Sequence, residues 1–272
     1  MSVPSREIRF VDVDGIRLRT VVTDGDGAGP PLLLITGLGA SLDLAAPFER
    51  ELNDRGVPTI SYDAPGVGES TSYTLPRRMG GVARTAERLL DALGHETVDV
   101  FGVSLGGVVA QQFAHQAPDR VRRLILAATG PGLGGLPGSP RVLWALATPR
   151  RYYQPDYYRR VAAALYGGAA RRDPDALLHG SIARFQHRPT VRGYAAQLYS
   201  IAGWTSVPWL RRLRQPTLVL AGDDDPIVPL LNGRILARLI PDASLQVIPG
   251  GGHLFVLEDP AAVADRVSEF LG

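Results

Sequence analysis

The sequence predicts an α/β fold, a mainly parallel eight-stranded sheet with helices on both faces. Apolar runs rich in β-forming residues alternate with helical patterns along most of the chain, as in successive βαβ units. The chain has 272 residues, 45% hydrophobic and 21% charged, which is enough apolar material for one large core. Residues 131–214 break the alternation and have helical character. We therefore expect a core of residues 1–130 and 215–272 and a helical lid (cap) insertion at 131–214.

The predicted strands begin with a hairpin around Asp14-Gly15, because the residues on either side of this turn alternate in polarity. Strands are predicted at 8–13, 16–22, 32–36, 58–62, 98–102, 124–128, 217–221 and 245–248, and helices near 79–93, 105–116, 230–239 and 260–271.

Composition excludes several chemistries. All 29 basic residues are Arg, so a phosphate-binding loop with its lysine and a Schiff-base lysine are impossible. The chain has no Cys, which excludes thiol nucleophiles and thiolate metal sites. The amino terminus has no apolar leader and no run is long enough to span a bilayer, so we expect a cytoplasmic protein without a transmembrane segment.

Charge is unevenly distributed. The predicted lid has a net charge of +10 and the remainder −8. No nucleic-acid motif accompanies the basic segment, so we interpret it as a solvated face and expect no nucleic-acid partner; an anionic surface or an acidic product is the alternative.

Residues 102–106 read G-V-S-L-G between a predicted strand and a predicted helix, the context of a nucleophile elbow. Such a turn raises the Ser104 hydroxyl above the sheet, and side chains at Gly102 and Gly106 would collide with the neighbouring strand and helix. The alternative is an ordinary serine in a glycine-rich turn. The placement favours Ser104 as a catalytic nucleophile.

The other two members of a triad follow in the order acid, then histidine. Of the five histidines, only His253 follows both the last predicted strand and the acidic cluster D-D-D at 223–225. We choose Asp225 as the acid, because it directly precedes a proline and can turn inward while its two neighbours face solvent or cap the turn. Adjacent aspartates diverge, so we predict no metal site.

An oxyanion needs preformed donors, and we predict the backbone N–H groups of Leu105 and of Leu38, in the loop I-T-G-L-G-A-S after the third strand. The glycine pairs G-L-G and G-V-G each lack the third glycine of a dinucleotide-binding turn, so no cofactor is assigned. Asp63, in Y-D-A-P-G-V-G-E-S, is expected to hold backbone amides in a structural loop.

From about residue 30 onward the chain resembles the α/β-hydrolases with a lid, and among them the intracellular depolymerases of medium-chain-length polyhydroxyalkanoates. The similar segments are F-G-V-S-L-G-G-V-V-A-Q-Q-F-A-H, A-T-P-R-R-Y-Y-Q-P, Y-G-G-A-A-R-R-D-P, G-W-T-S-V-P-W-L and R-Q-P-T-L-V-L-A-G-D-D-D-P. The resemblance implies hydrolysis of stored polyester by Ser104, His253 and Asp225. Two positions depart from the family, Leu105 in place of Trp and Thr36 in place of Asn, which leaves the preferred chain length open.

The expected substrate is an ester or a polyester of 3-hydroxy acids, and a polyester granule surface is a candidate partner. Aromatic residues of the lid either line a groove for alkyl chains or pack the lid's own interior; they are Trp144, Tyr152, Tyr153, Trp204 and Trp209. A small-ester, lactone or carbon–carbon bond hydrolase is the alternative activity, and a non-catalytic ligand-binding module is the alternative from another class.

Overall fold

The fold is an eight-stranded, mostly parallel sheet between two layers of helices. The computed structural model describes residues 6–25, 29–173 and 182–272. The strands are β1 (Arg6–Val13), β2 (Ile16–Thr23), β3 (Leu32–Ile35), β4 (Thr59–Tyr62), β5 (Val98–Val103), β6 (Val121–Ala127), β7 (Thr217–Gly222) and β8 (Ala243–Ile248). Their spatial order is β1-β2-β4-β3-β5-β6-β7-β8. β2 pairs antiparallel with both β1 and β4. All other neighbouring strands in this order pair in parallel. The predicted fold class is confirmed.

Helices connect these strands and cover both faces. They are α1 (Leu42–Asp54), α2 (Met79–Leu93), α3 (Leu105–Gln116), α4 (Pro140–Leu146), α5 (Pro155–Tyr166), α6 (Gly168–Arg172), α7 (Ile182–Gln186), α8 (Val191–Ile201), α9 (Leu231–Leu239), α10 (Phe255–Glu258) and α11 (Pro260–Leu271). Within the described ranges, no helix is both long and apolar enough to cross a membrane.

Strand alternation divides the core into two layers. Leu33 and Ile35 of β3 face a cluster formed with α2, α3 and α9, whereas Leu32 and Leu34 face a second cluster formed with α1 and α11. The central strands of the sheet are therefore buried on both faces, as expected for a parallel sheet.

Helix α1 is not among the helices predicted from the sequence. Pro47 lies inside this helix and lacks the N–H that an interior position needs, which argues against a helix when only the sequence is considered. The helix forms nevertheless because it buries the apolar side chains of Leu42, Leu44, Phe48 and Leu52. Phe48 and Leu52 belong to the apolar cluster on this face of the sheet. Tertiary burial here outweighs local propensity.

We call residues 128–216 the β6–β7 segment, since they connect these two neighbouring strands. The segment carries α4 to α8, and Tyr158, Ala162 and Leu165 of α5 form the centre of a separate small apolar cluster. Its hydrogen bonds to the loops that follow β3 and β4 bring it over the site described next.

Candidate active site

Ser104 occupies a sharp turn between β5 and α3. Its backbone has φ 56° and ψ −119°, a strained conformation for a residue with a side chain. Two hydrogen bonds hold the turn: the Ser104 N–H donates to the Ala127 carbonyl at 2.9 Å, and the Thr129 hydroxyl donates to the Ser104 carbonyl at 2.8 Å. The strain is thus compensated by the neighbouring strand β6, and the serine side chain is left at the carboxyl end of the sheet.

Glycine is required on both sides of Ser104. A Cβ atom on Gly102 would lie 2.4 Å from the carbonyl oxygen of Gly106, at the start of α3. A Cβ atom on Gly106 would lie 2.0 Å from the carbonyl oxygen of Ile35, at the end of β3. The collisions predicted from the sequence are therefore present, with the helix in one case and the strand in the other.

The structure brings Ser104, His253 and Asp225 together. The His253 Nε2 atom lies 2.9 Å from the Ser104 Oγ atom, and the His253 Nδ1 atom lies 2.7 Å from the Asp225 Oδ2 atom. Both His253 and Asp225 are buried. The second carboxylate oxygen, Oδ1, accepts the N–H groups of Ile227 and Val228 at 2.8 and 2.9 Å, which fixes the carboxylate plane.

The three consecutive aspartates have three different partners. Asp223 accepts the Gly250 N–H at 2.7 Å and caps the loop that leads to His253. Asp224 accepts the Gly168 N–H at 2.7 Å and pairs with Arg171 at 3.1 Å, so it anchors α6 instead of facing solvent. Asp225 alone turns toward the imidazole, as the following proline suggested.

The remaining described histidines lie apart from Ser104. His115 stacks on Trp209 with a ring-centroid distance of 4.2 Å, and His187 lies 3.7 Å from Asp43. His95 follows α2, and His179 lies outside the described residues.

Two backbone amides are available beside Ser104. The Leu38 and Leu105 N–H groups form no hydrogen bond with any described residue. Both residues line a cavity that includes Ser104. Gly37 allows this close approach, since a Cβ atom there would lie 3.2 Å from the Ser104 Cβ atom. The two amides can therefore receive an anionic oxygen.

The β6–β7 segment holds the loop that carries Leu38. The Tyr152 hydroxyl donates to the Leu38 carbonyl at 2.6 Å, and the Arg151 Nη2 atom donates to the same oxygen at 3.3 Å. The Gly39 N–H donates to the Gln197 Oε1 atom at 2.8 Å. These contacts were not predicted from the sequence, although the R-R-Y-Y run with Arg151 and Tyr152 is one of the segments that carry the family resemblance.

Two cavities meet at Ser104. The inner cavity extends between the sheet and α1, with Leu44, Phe48, Phe101 and Val256 among its apolar walls. The outer cavity runs beneath α4 and α8; its apolar walls include Val108, Leu136, Leu143, Leu198 and Ile201. Ser104, Leu38, Leu146 and Ile227 line both cavities. An elongated, largely apolar molecule with a polar centre fits this arrangement.

The expected pocket aromatics require a correction. Trp144, Tyr153, Trp204 and Trp209 line neither cavity. Trp144 is 82% exposed, the Tyr153 hydroxyl donates to the Pro189 carbonyl at 2.6 Å, and Trp204 donates to Gln112 and packs edge-on against Trp209. Tyr152 lines the inner cavity. The sequence shows that this segment is rich in aromatic residues. It does not show which face of each helix turns toward Ser104.

Asp63 lies in the loop directly after β4 and has a structural role there. Its carboxylate accepts the N–H groups of Leu42 at 2.8 Å and Glu69 at 3.2 Å, and Arg19 lies 3.4 Å away. The prediction that Asp63 holds backbone amides is confirmed. Burial raises the pKa of the Asp63 carboxyl to about 6, against the opposing effect of these donors.

Comparison with known proteins agrees with this architecture. Residues 30–260 match the family model described as the alpha/beta hydrolase fold. The chain is 47% identical over 264 residues to a poly(3-hydroxyalkanoate) depolymerase of Ectopseudomonas oleovorans, covering 97% of this chain and 92% of that protein. It is 29% identical over 254 residues to a 2-hydroxy-6-oxo-6-phenylhexa-2,4-dienoate hydrolase of Burkholderia cepacia, covering 90% of this chain and 88% of that one.

Among solved structures, a hydrolase from Pseudomonas aeruginosa PA01 superimposes with a TM-score of 0.80 at 27% identity, covering 98% of both chains. The similarity in sequence and in structure extends over nearly the whole chain, elbow and sheet included. The chain belongs to the α/β-hydrolase family and is close in sequence to the poly(3-hydroxyalkanoate) depolymerases.

Proposed function

We propose that the chain hydrolyses carboxylic esters through an acyl-enzyme, with Ser104 as nucleophile, His253 as general base and acid, and Asp225 as the orienting acid. The observation that carries this proposal is the pair of hydrogen bonds from His253, at 2.9 Å to Ser104 and at 2.7 Å to Asp225. Asp225 holds the imidazole with Nε2 toward the serine and stabilises the imidazolium that forms.

The reaction proceeds in two halves. His253 Nε2 accepts the hydroxyl proton while Ser104 Oγ attacks the ester carbon, and the Leu38 and Leu105 N–H groups stabilise the resulting oxyanion. The ester C–O bond then breaks, and His253 gives its proton to the leaving alkoxide. Water, deprotonated by His253, then attacks the acyl carbon, the bond from that carbon to Ser104 Oγ breaks, and His253 returns the proton to Ser104 Oγ as the acid is released. One oxyanion donor is worth about 3 to 4 kcal/mol in such reactions.

We propose a polyester of medium-chain 3-hydroxy acids as the substrate. The relative that is 47% identical is named for this class of polymer. The two cavities support the choice, because a 3-hydroxyalkanoate chain places an alkyl branch on each side of every ester carbonyl. Apolar walls on both sides of Ser104 suit such branches better than a small polar ester.

The β6–β7 segment is, in this proposal, the predicted lid, and it meets the polymer. The first part of this segment carries four exposed apolar side chains. Leu136 and Leu143 line the outer cavity, and Leu133 and Trp144 are close to them in the sequence. We propose that they contact the surface of a polyester granule in the cytoplasm.

The experiment compares the parent chain with Ser104→Ala on emulsified medium-chain polyester and on p-nitrophenyl octanoate. We expect a loss of at least about 1,000-fold on both substrates. Ser244→Ala, at an exposed position on β8, is the matched control and should keep the parent rate. Parent-like turnover by Ser104→Ala would refute the proposal.

The same assay separates the alternatives. Fast turnover of soluble short esters without clearing of polyester would favour a small-ester or lactone hydrolase. Failure of Ser104 to react with a fluorophosphonate, together with no turnover, would favour a binding module without catalysis.

A further inference from the structure

Two arginines are buried in the inner cavity beside Ser104. Arg151 and Arg184 both line this cavity, and each is only 3% exposed. Among the described residues, no carboxylate lies within 4 Å of either guanidinium. Arginine remains protonated in proteins at any ordinary pH. The cavity therefore contains two positive charges that the described part of the chain does not neutralise.

Neutral groups hold both guanidinium groups in place. Arg151 donates to the Tyr194 hydroxyl at 2.5 Å and, more weakly, to the carbonyls of Leu38 and Thr148. Arg184 donates to the Tyr166 hydroxyl at 3.2 Å. The Nε atoms of both arginines are buried without a hydrogen-bond partner. Each guanidinium thus keeps one buried N–H donor that has no acceptor.

Tyrosine rings surround the two charges. The Arg184 Cζ atom lies 5.1, 5.0 and 5.5 Å from the ring centroids of Tyr152, Tyr158 and Tyr166, and the Arg151 Cζ atom lies 4.7 Å from that of Tyr152. Ring faces attract cations but carry no net charge. A buried cation without an anion is costly, and two side by side also repel each other. An anionic ligand would relieve both costs.

We propose that Arg184 and Arg151 form a carboxylate subsite, and that it binds the free carboxylate end of an oligoester chain. This inference rests on the proposed ester hydrolysis and specifies its substrate. Apolar walls at Phe48 and Phe101 complete the match, because a terminal 3-hydroxy acid unit combines an alkyl branch with a carboxylate. Paired guanidinium groups with unused N–H donors suit a carboxylate's two oxygens.

The position of the subsite sets the direction of cleavage. None of the residues that line the inner cavity is exposed, so this cavity suits a chain end, whereas the outer cavity reaches the surface at Leu136 and Leu143. With the terminal unit in the inner cavity, Ser104 attacks the carbonyl of the penultimate unit. The bond to the 3-oxygen of the terminal unit breaks, and His253 protonates that oxygen as the hydroxy acid leaves.

The rest of the chain then remains as the acyl group on Ser104, in the outer cavity. Water hydrolyses this ester and generates a new carboxylate end, which is again a ligand for the arginine pair. The subsite thus predicts stepwise removal of units from the carboxylate end.

The test measures binding without turnover. In the Ser104→Ala background, titration calorimetry compares 3-hydroxyoctanoate with its neutral N-methylamide. We expect the carboxylate to bind at least ten-fold more tightly, and Arg184→Gln to reduce that preference to less than two-fold. Arg184 is the chosen position because Arg151 also contacts Leu38. Arg160→Gln, at an exposed position on α5, is the matched control and should keep the full preference.

Arg184→Lys is a second variant that retains a charge, and we expect it to keep several-fold preference for the acid. Equal affinity of the Ser104→Ala chain for acid and amide would overturn the subsite, and this comparison does not depend on the folding of any arginine variant. Undiminished preference in Arg184→Gln would also overturn it. The proposed function is tested separately by turnover of p-nitrophenyl octanoate by the parent chain. This ester is neutral and needs no carboxylate subsite.

Discussion

The hydroxyl of Tyr152 donates a 2.6 Å hydrogen bond to the carbonyl oxygen of Leu38 and so connects the β6–β7 segment to the loop after β3. The N–H of the same Leu38 is the proposed oxyanion donor. Gly39, the next residue, has φ 73°, and a Cβ atom there would lie 2.8 Å from the Tyr152 ring. The segment therefore holds the loop in position, and we propose that Tyr152 is a positioning residue for catalysis.

Tyr152→Phe should lower kcat for p-nitrophenyl octanoate by about five- to thirty-fold, equivalent to about 1 to 2 kcal/mol. KM should change less than two-fold, because the phenyl ring still fills the cavity wall and only the hydrogen bond to Leu38 is lost. Steady-state kinetics of the purified variant measure this division between kcat and KM.

Tyr153→Phe is the matched control. It also removes a 2.6 Å hydrogen bond to a backbone carbonyl, that of Pro189, which is not part of the loop after β3. Thermal unfolding of the two variants should be similar, whereas kcat of Tyr153→Phe should stay within two-fold of the parent. Equal losses of kcat in both variants would show that Tyr152 contributes only stability.

The fold and the elbow could be predicted because local sequence patterns and the topology of a parallel sheet indicate them. Gly102 has to be glycine because a Cβ atom would meet the start of α3, and Gly106 because a Cβ atom would meet the end of β3, the neighbouring strand in the sheet. The strand order places the loops after β5, β7 and β8 at one edge, so Asp225 and His253 could be placed near Ser104 from topology alone.

Features that depend on long-range packing were not predictable. Helix α1 forms around Pro47 only because its apolar face is buried. The contact of Tyr152 with Leu38 joins residues 114 positions apart, and no pattern in either segment indicates it. For the same reason Trp144 was expected in the pocket and lies on the surface, while two arginines line the inner cavity.

Asp225→Asn should reduce kcat by about 1,000- to 10,000-fold with little change in stability. An asparagine can still accept the N–H groups of Ile227 and Val228 through its carbonyl oxygen, so its side-chain NH₂ faces His253 Nδ1. That orientation favours the tautomer with the proton on Nε2, which cannot accept the proton of Ser104. Single-turnover measurements with p-nitrophenyl octanoate give the rate of acylation directly.

Asp224→Asn makes the same chemical change one residue earlier. It weakens the contacts with the Gly168 N–H and Arg171, which anchor α6, and should lower kcat less than ten-fold. A comparable loss in both variants would mean that the acidic cluster acts through structure and not through His253.

Trp144→Ser should lower the rate on emulsified polyester several-fold and leave the rate on p-nitrophenyl octanoate within two-fold. The side chain is 82% exposed and lines neither cavity at Ser104, so its loss affects adsorption to an apolar surface and not the reaction. Turbidity clearing and co-sedimentation with polymer particles measure the two effects. Ile8→Ser, at an exposed position on the edge strand β1, is the control and should clear the emulsion at the parent rate.

Asp63 makes stability depend on pH. Burial raises the pKa of its carboxyl from the usual value near 4 to about 6, so between these values the folded chain binds more protons than the unfolded chain. The contribution of this group to stability is therefore greatest at and below about pH 4, falls as pH rises to about 6, and is constant above. The full difference amounts to about 3 kcal/mol.

Asp63→Asn removes this titration, although the hydrogen bonds to Leu42 and Glu69 are altered at every pH. The free energy of unfolding of the parent minus that of Asp63→Asn should accordingly fall by up to about 3 kcal/mol between pH 4 and pH 7. Urea unfolding at half-unit intervals measures it, and the other buried carboxyls cancel because both chains contain them. Asp119→Asn, which removes an exposed carboxyl, controls for the change in net charge. A difference that stays constant or increases with pH would mean that Asp63 is ionised throughout and is stabilised by Arg19 and the two amides.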